Sequence, residues 1–378
     1  MNTPFTQLVQ SLPATIPFIA PETLERESGH PFKARIGANE SAFGLSPAAH
    51  LAIANELERS AWYGDPENHD LRMALAELHG VNPNEICVDA GIDSLLGLVV
   101  RMLVEPGRSV VSSLGAYPTF NYHVAGFGGN LQLVPYRDDH EDPQALIDRA
   151  ALTRAPLVYL SNPDNPMGTW HPAQTLTAMI AALPPGSVLA LDEAYAEFAP
   201  VDSLPPIDTS QEQVIRLRTF SKAHGMAGLR VGYAIANEQL ISGLNRIRNH
   251  FAVNRLAQAG ALASLGDQAF LASVLEQVAQ GRDRIVRMGQ DYGLSAIASA
   301  TNFVALDLGS AQRASALRAE LQTRGVFVRM PGVAPLNRTI RIGVGSAPEQ
   351  TCLETVFGDA LAAASMRSPG ANLMTASD

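Results

Sequence analysis

Cysteine is scarce in this sequence. Its 378 residues include two cysteines, Cys87 and Cys352, which lie far apart and form no CxxC pair. Disulfide-stabilised domains and structural zinc sites need more cysteines or closer spacing. The two cysteines therefore argue against a disulfide framework and a zinc site, and they suit the reducing conditions of the cytoplasm.

Positive charge, long apolar runs and metal-binding histidine patterns are also lacking. Lys and Arg number 27 against 37 Asp and Glu, a formal net charge of −10, and no long basic run occurs. Nucleic acids and anionic membrane surfaces are therefore poor candidate partners. No apolar run reaches the length of a membrane span, and the first residues lack the pattern of a secretory signal. The nine histidines include no HExxH pattern, so the sequence does not support a metal site.

The composition is that of an ordinary globular protein, 46% hydrophobic and 17% charged. From about residue 85, short apolar strands alternate with helices, a pattern typical of an α/β fold whose mostly parallel sheet is covered by helices on both faces. We predict an irregular N-terminal arm over residues 1–44 that packs on the small domain and a large domain over 45–255. A smaller α+β domain over 256–364 and a disordered tail over 365–378 complete the prediction.

Two helices of the large domain carry specific expectations. Ser46 followed by proline predicts a capped helix start, with Leu51, Ala54 and Leu57 on one apolar face. The run LLGLVVRMLV predicts a buried helix, which Asp93 or Ser94 is expected to cap.

Polar residues follow several predicted strands at the edge where parallel-sheet proteins bind ligands. Gly91 can open a turn whose following amides, at Ile92 and Asp93, form an anion site at a helix N-terminus, although a plain capped turn explains Gly91 equally well. Tyr117 can present its ring to a flat ligand or pack in the core. Asp192 follows a buried run directly, where a carboxylate is costly without a cationic partner.

A loop between two more buried runs carries Lys222, in VIRLRTFSKAHGMAGLRVGY from residue 214 to 233. Most lysines are solvated surface charges. A lysine held in a loop of small residues between core strands is instead partly desolvated, which lowers its pKa and makes the neutral amine a nucleophile toward carbonyls. Thr219, Ser221 and Arg230 lie in or beside the same loop.

These motifs together resemble the fold-type-I pyridoxal-phosphate aminotransferases of class I and II, most closely the histidinol-phosphate aminotransferases. The resemblance runs from GANE at 37–40 to RIGVG at 341–345 and is strongest in SNPDNPMG, LDEAYAEF and TFSKAHGMAGLRVGY. It implies that Lys222 forms a Schiff base with the cofactor and shuttles the substrate proton. It also implies that Asp192 pairs with the pyridine nitrogen, that Tyr195 and Asn165 donate to the ring oxygen, and that Tyr117 stacks on the ring.

The resemblance also implies how phosphate and substrate are held. The resemblance implies that the cofactor phosphate is bound by the amides at Gly91, Ile92 and Asp93, by Ser221 and Arg230, and less directly by Thr219. Tyr63 matches a tyrosine that reaches the partner subunit's phosphate, which implies a homodimer with shared sites. Arg341 matches the residue that grips the substrate carboxylate, and Arg329 matches one that helps to hold a substrate phosphate.

Three positions depart from the family pattern. Met167 stands where threonine is usual, Phe18 falls near a substrate-binding tyrosine, and Asp307 sits where some relatives carry arginine. An anion at Asp307 near the phosphate pocket would disfavour a phosphorylated substrate, so the indications are divided. Asn249 and His250 have no assigned role.

The resemblance predicts a cytoplasmic aminotransferase that exchanges an amino group between 2-oxoglutarate and a donor, either histidinol phosphate or an aromatic or similarly bulky amino acid. One alternative is a pyridoxal-phosphate-dependent decarboxylase or other lyase that acts on a phosphorylated amino acid. A second is a non-catalytic binding protein on the same scaffold.

Overall fold

The computed structural model describes residues 3–13 and 18–366. Thirteen α-helices are described within these ranges: α1 (Gln7–Ser11), α2 (Pro21–Ser28), α3 (Pro47–Glu56), α4 (His69–His79), α5 (Ile92–Leu103), α6 (Pro118–Gly126), α7 (Pro143–Thr153), α8 (Ala173–Ala181), α9 (Glu238–Asn245), α10 (Arg255–Gly266), α11 (Gln268–Asp291), α12 (Ala311–Thr323) and α13 (Ala347–Met366). The strands are β1 (Ala34–Arg35), β2 (Ile86–Asp89), β3 (Ser109–Ser113), β4 (Asn130–Val134), β5 (Leu157–Ser161), β6 (Val188–Asp192), β7 (Val214–Thr219), β8 (Gly232–Ala236), β9 (Ser295–Ala296), β10 (Phe303–Asp307), β11 (Val326–Phe327) and β12 (Thr339–Gly343).

The large sheet has seven strands in the order β2-β8-β7-β6-β5-β3-β4. All neighbouring pairs are parallel except those that include β8, which runs antiparallel to β2 and to β7. Successive strand residues face opposite layers: Leu157 and Tyr159 pack with α5 and α6, whereas Val158 and Leu160 pack with α7 and α8. Both faces are thus buried, which explains the near-continuous apolar runs. The predicted α/β fold is confirmed.

A second layered unit follows the large sheet. The antiparallel sheet β12-β10-β9 shares a core with α11, α12 and α13. β1 pairs in parallel with β11, and Ala34 and Ile36 belong to that same core. The boundaries at residues 44/45 and 255/256 stay a prediction. The predicted tail lies outside the described residues from 367 onward, and residues 365 and 366 end α13.

The N-terminal arm is more regular than predicted. α2 begins with Pro21 at its first turn and ends at Gly29, whose φ of 75° is left-handed. Proline at the start and glycine at the end are the signals of a short helix. The prediction of an irregular segment was therefore wrong at α2, where a Pro-rich composition concealed a proline placed at a helix start.

The predicted start of α3 is confirmed, whereas the predicted start of α5 is not. Ser46 caps α3 by accepting from the Ala49 amide at 3.0 Å, as predicted. The apolar face of α3, however, is largely exposed in the single chain, with Leu51 at 62%. α5 begins after Gly91, whose φ is 83° and which is the N-cap, so the predicted cap at Asp93 or Ser94 was wrong. Within residues 3–13 and 18–366, no helix combines the length and apolar character of a membrane crossing.

Candidate active site

A cavity of about 330 Å³ opens at the sheet edge where β5, β6 and β7 end. Its size lies in the range of small-molecule sites. The carboxyl ends of parallel strands meet at one edge, which brings residues distant in sequence together. The cavity is lined by these predicted site residues: Ile92, Asp93, Tyr117, Asn165, Asp192, Tyr195, Thr219, Ser221, Lys222 and Arg230.

Lys222 reaches this cavity from the loop after β7. Its ammonium donates to the Asn39 main-chain oxygen at 3.1 Å and lies 5.6 Å from the centroid of the Tyr195 ring. Burial and the positive charge of Arg341 lower the pKa of Lys222 to about 8, while the negative charge of Asp93 opposes the shift. A lysine with this pKa is partly neutral near pH 8 and can act as a nucleophile or a base.

Asp192 is the last residue of β6 and is buried at the cavity. It accepts from the Tyr159 hydroxyl at 2.8 Å and from the Ala194 amide at 3.0 Å. Burial raises its pKa to about 6, and these two hydrogen bonds oppose that effect without cancelling it. Sequence reasoning did not single out Tyr159, whose ring stacks on Phe120 with centroids 4.4 Å apart. The one feature of the sequence that could have indicated Tyr159 is its hydroxyl in an otherwise apolar strand.

Tyr195 lies between Asp192 and the small sheet. Its hydroxyl accepts from the Asn39 side-chain amide at 2.8 Å, and its ring meets Phe303 edge-on at 5.6 Å. Burial raises the pKa of Tyr195 to about 12, against the lowering effects of Arg341 and the Asn39 hydrogen bond. Asn39 is a second residue that the sequence did not reveal as part of the site.

An anion-binding corner forms where α5 begins. The Arg230 guanidinium lies against Gly91 so closely that a Cβ at Gly91 would meet its Nη2 at 2.6 Å. Arg230 also contacts the Ser221 hydroxyl at 3.5 Å and the Asp93 carboxylate at 3.2 Å. Thr219 accepts from the Ser221 amide at 3.1 Å and so supports the loop. A guanidinium, a hydroxyl and free helix amides form a set suited to a phosphate.

Two predicted substrate-binding arginines, Arg329 and Arg341, lie side by side at the small sheet, and neither lines the cavity. Arg329 and Arg341 are joined by main-chain hydrogen bonds in an antiparallel bridge. Arg341 Nη1 donates to the Asn165 side-chain oxygen, which leaves the amide NH₂ as the group that Asn165 can offer to the cavity. Arg329 lies over the Phe18 ring at 5.2 Å and donates to the Ile19 main-chain oxygen at 3.1 Å.

Burial lowers the pKa of Arg341 to about 10. Its Nε atom is buried and, among the described residues, has no hydrogen-bond partner.

Some predicted residues lie elsewhere. Tyr63 is 78% exposed, its ring lies tilted against Phe251 with the centroids 4.7 Å apart, and it does not line its own chain's cavity. Asn249 and His250 are exposed and also lie outside the cavity lining.

Asp307 does not line the cavity and is paired with Arg338, whose Nε lies 2.8 Å from its carboxylate. The same arginine binds Asp139 at 2.7 Å. The anion expected at Asp307 is therefore present, and it lies against an arginine that it shares with the Asp139 carboxylate.

Known proteins resemble this chain along most of its length. The family model for aminotransferase class I and II matches residues 33–356. Histidinol-phosphate aminotransferase 2 of Ralstonia nicotianae is 36% identical, covering 87% of this chain and 89% of that protein. The histidinol-phosphate aminotransferase of a Geobacillus species is 32% identical over 90% of this chain and 93% of its own.

Solved structures agree with these relatives. The histidinol-phosphate aminotransferase of Sinorhizobium meliloti, solved in complex with pyridoxal 5′-phosphate, is 49% identical with a TM-score of 0.93, covering 96% of this chain and 98% of that one. Aspartate aminotransferase of Thermus thermophilus, at 21% identity and a TM-score of 0.77 over 96% and 98% of the two chains, shares the fold. The chain therefore belongs to the class I and II aminotransferases.

The predictions of a pyridoxal-phosphate-dependent aminotransferase and of pyridoxal 5′-phosphate as its cofactor are confirmed. The relatives are aminotransferases, which favours this activity over the lyase and over the non-catalytic protein. The residues also fit the cofactor: a half-buried lysine, a buried carboxylate with no ion pair among the described residues, and the anion-binding corner line one cavity.

Proposed function

We propose that this aminotransferase takes its amino group from histidinol phosphate and passes it to 2-oxoglutarate, a step of histidine biosynthesis in the cytoplasm. The buried Arg341 Nε carries this proposal: it has no hydrogen-bond partner in the part of the chain that the structure describes, and such a guanidinium N–H calls for an anionic partner. Arg329 adds a second cation beside it. Histidinol phosphate and 2-oxoglutarate both bring an anionic group to such a pair, and relatives of this chain bear the name of this activity.

The cofactor, when bound, supplies an electron sink that weakens the bonds at the substrate Cα. Lys222 holds the cofactor and then moves the proton at that carbon, a task to which its lowered pKa is suited. Asp192 keeps the pyridine nitrogen protonated, and the bound N–H provides the cation that the buried carboxylate needs. Tyr195 and Asn165 donate to the ring oxygen, and Tyr117 covers the ring.

The phosphate of the cofactor is assigned to the anion-binding corner. The amides at the start of α5 and the Ser221 hydroxyl donate to it, and Arg230 supplies the positive charge. Lys222→Ala is expected to abolish the visible absorption of the purified enzyme. An unchanged spectrum would contradict the assignment of Lys222.

Substrate choice is tested with matched ligands. Mixing the loaded enzyme with histidinol phosphate, histidinol or phenylalanine and following the cofactor absorption gives kcat/KM for each half-reaction. Histidinol phosphate should be the fastest. Arg329→Gln should lower its kcat/KM about 10- to 100-fold, since a charge-assisted hydrogen bond is lost, and should change phenylalanine much less. Arg329→Lys, which keeps the charge, is the matched control.

The second candidate donor is an aromatic or similarly bulky amino acid. Phe18 favours it, because the apolar ring that covers Arg329 offers no hydroxyl to a phosphate. Faster reaction with phenylalanine than with histidinol phosphate would select this candidate. Equal loss for both donors in Arg329→Gln would show that Arg329 does not recognise the phosphate.

The proposal includes a homodimer in which Tyr63 reaches the partner subunit's cofactor phosphate. Large apolar side chains are exposed around it in the single chain: Leu51 at 62%, Leu57 at 55%, Trp62 at 66%, Tyr63 at 78% and Phe251 at 50%. Soluble monomers rarely leave such a group uncovered, which supports a second copy here.

Shared sites are tested by mixing two inactive variants. Lys222→Ala and Tyr63→Ala subunits, refolded together, should form mixed dimers with one intact site and recover part of the activity. Activity no greater than the sum of the two parent variants would contradict the shared site.

A further inference from the structure

Asn39 occupies an unusual position between the small sheet and the cavity. It follows β1, and the carbonyl of Ile36 accepts from the Gly343 amide of β12 at 2.6 Å. The chain then turns inward, so that Ala38 and Glu40 line the cavity on either side of Asn39. Asn39 itself is 4% exposed.

The backbone of Asn39 is left-handed, with φ at 56°. Glycine adopts this conformation without cost, and asparagine tolerates it better than most residues. Because glycine would satisfy the backbone, the side chain of Asn39 must be explained by its own contacts.

Those contacts join Asn39 to both central residues of the site. Its side-chain NH₂ donates to the Tyr195 hydroxyl at 2.8 Å. Its main-chain oxygen accepts from Lys222 Nζ at 3.1 Å and from the Asn302 amide at 3.1 Å. The side chain of Asn39 thus hydrogen-bonds to Tyr195, whereas its main-chain oxygen hydrogen-bonds to Lys222.

The direction of the first hydrogen bond has a chemical consequence. A tyrosine hydroxyl carries one proton, and an amide N–H that donates to its oxygen leaves that proton free for another acceptor. Accepting one hydrogen bond also strengthens the next one that the hydroxyl donates. The edge contact with Phe303 holds the ring of Tyr195, which lines the cavity, so an acceptor inside the cavity can take the free proton.

We propose that Asn39 is a positioning residue, which directs the Tyr195 proton into the cavity and thereby strengthens the hydrogen bond to the ring oxygen of the cofactor. This inference rests on the role proposed for Tyr195. Asn39 touches Tyr195 and Lys222 and acts through them.

The test is the pH midpoint of the visible absorption of the loaded enzyme, which a donor to the ring oxygen holds low. Asn39→Gly removes the amide but keeps the left-handed backbone and the carbonyl that holds Lys222. Its midpoint should rise by about one pH unit, the equivalent of one weakened charge-assisted hydrogen bond. Combined with Tyr195→Phe, the same change should add nothing further, because the two residues act in series.

Asn68→Gly is the matched control. Asn68 is the other described asparagine that is both buried and left-handed, with φ at 50° and 3% exposure, and it does not line the cavity. Its substitution should leave the midpoint unchanged. An unchanged midpoint in Asn39→Gly, or a shift that persists in the Tyr195→Phe background, overturns the inference.

Two further variants, Asn39→Asp and Tyr195→Phe, test the inference if Asn39→Gly does not fold or if Tyr195 does not bind the ring oxygen. If Asn39→Gly does not melt cooperatively, Asn39→Asp replaces it, because an ionised carboxylate would draw the Tyr195 proton away from the cavity and raise the midpoint. An unchanged midpoint in Asn39→Asp would also overturn the inference. Tyr195→Phe alone must also raise the midpoint; if it does not, the failure lies in the proposed role of Tyr195, and the inference falls with it.

Discussion

Asp192→Asn is expected to make the cofactor-free protein more stable and the loaded protein less stable. In the described residues the Asp192 carboxylate has two hydrogen bonds and no ion pair. Burial raises its pKa from the ordinary 3.8 to about 6. The folded, cofactor-free protein therefore holds a proton on Asp192 more tightly than the unfolded chain does, and ionising this group costs stability.

The pKa difference sets the size of the effect. A raised carboxyl pKa leaves full stability below about pH 3.8 and loses it as pH rises through about 6. At 1.36 kcal/mol per unit, a shift of roughly two units amounts to about 3 kcal/mol at pH 8 and about half of that at pH 5. Asparagine does not ionise, so Asp192→Asn should recover most of this free energy of unfolding at pH 8.

Urea denaturation of the cofactor-free proteins at fixed concentration, at pH 5 and pH 8, measures the difference. Glu193→Gln is the matched control of opposite sign. Glu193 is equally buried, but the charges of Arg218 and Arg216 outweigh burial and lower its pKa, so its removal should destabilise at both pH values. With pyridoxal phosphate added, wild type should become the more stable protein relative to Asp192→Asn. Equal stability of the two at pH 8 without cofactor would refute the reasoning.

Two more predictions concern carboxylates outside the cavity lining. Asp307→Asn should leave kcat/KM for histidinol phosphate within about twofold of wild type, because Asp307 binds Arg338, and should lower the free energy of unfolding by at most about 1 kcal/mol. A large gain for the phosphorylated substrate would contradict it. Burial and the nearby Asp164 raise the pKa of Glu141, so ionising Glu141 costs stability as the pH rises above about 4.5, and Glu141→Gln should lose less stability than wild type between pH 5 and 8. Parallel urea-denaturation curves across pH 5 to 8 would show that Glu141 does not titrate in this range.

The sequence predicted the part of the site that local signals encode. Lys222, Ser221 and Arg230 lie in one loop, and Asp192 follows an apolar run, so strand order alone places them at one edge. The neighbourhood of Tyr195 could not be predicted in the same way. Asn39 reaches Tyr195 across 156 residues of sequence through the pairing of β1 with β11, and no local pattern encodes that contact.

The hydrophobic periodicity of one chain likewise does not predict which residues a second subunit buries. The three residues predicted to form one apolar face, Leu51, Ala54 and Leu57, are exposed in the single chain, and Leu57 lies just beyond the last residue of α3. A hydrophobic stripe reports that a face is to be covered, but it does not report whether the same chain or a second copy covers it. The prediction named an apolar face and did not say which surface covers it.

The adjacent carboxylates Asp192 and Glu193, at the end of one strand, differ in their effect on stability. Alternation along the chain directs Asp192 to the cavity and Glu193 to the opposite side, where Arg216 and Arg218 bind it. The paired carboxylate stabilises the folded chain by itself, whereas the unpaired one lowers stability until a cation arrives. An arginine beside Asp192 would remove that cost, but it would also occupy the position proposed for the protonated ring nitrogen. Under the proposed pairing of Asp192 with the ring nitrogen, the stability lost by ionising Asp192 in the cofactor-free protein is recovered when the cofactor binds.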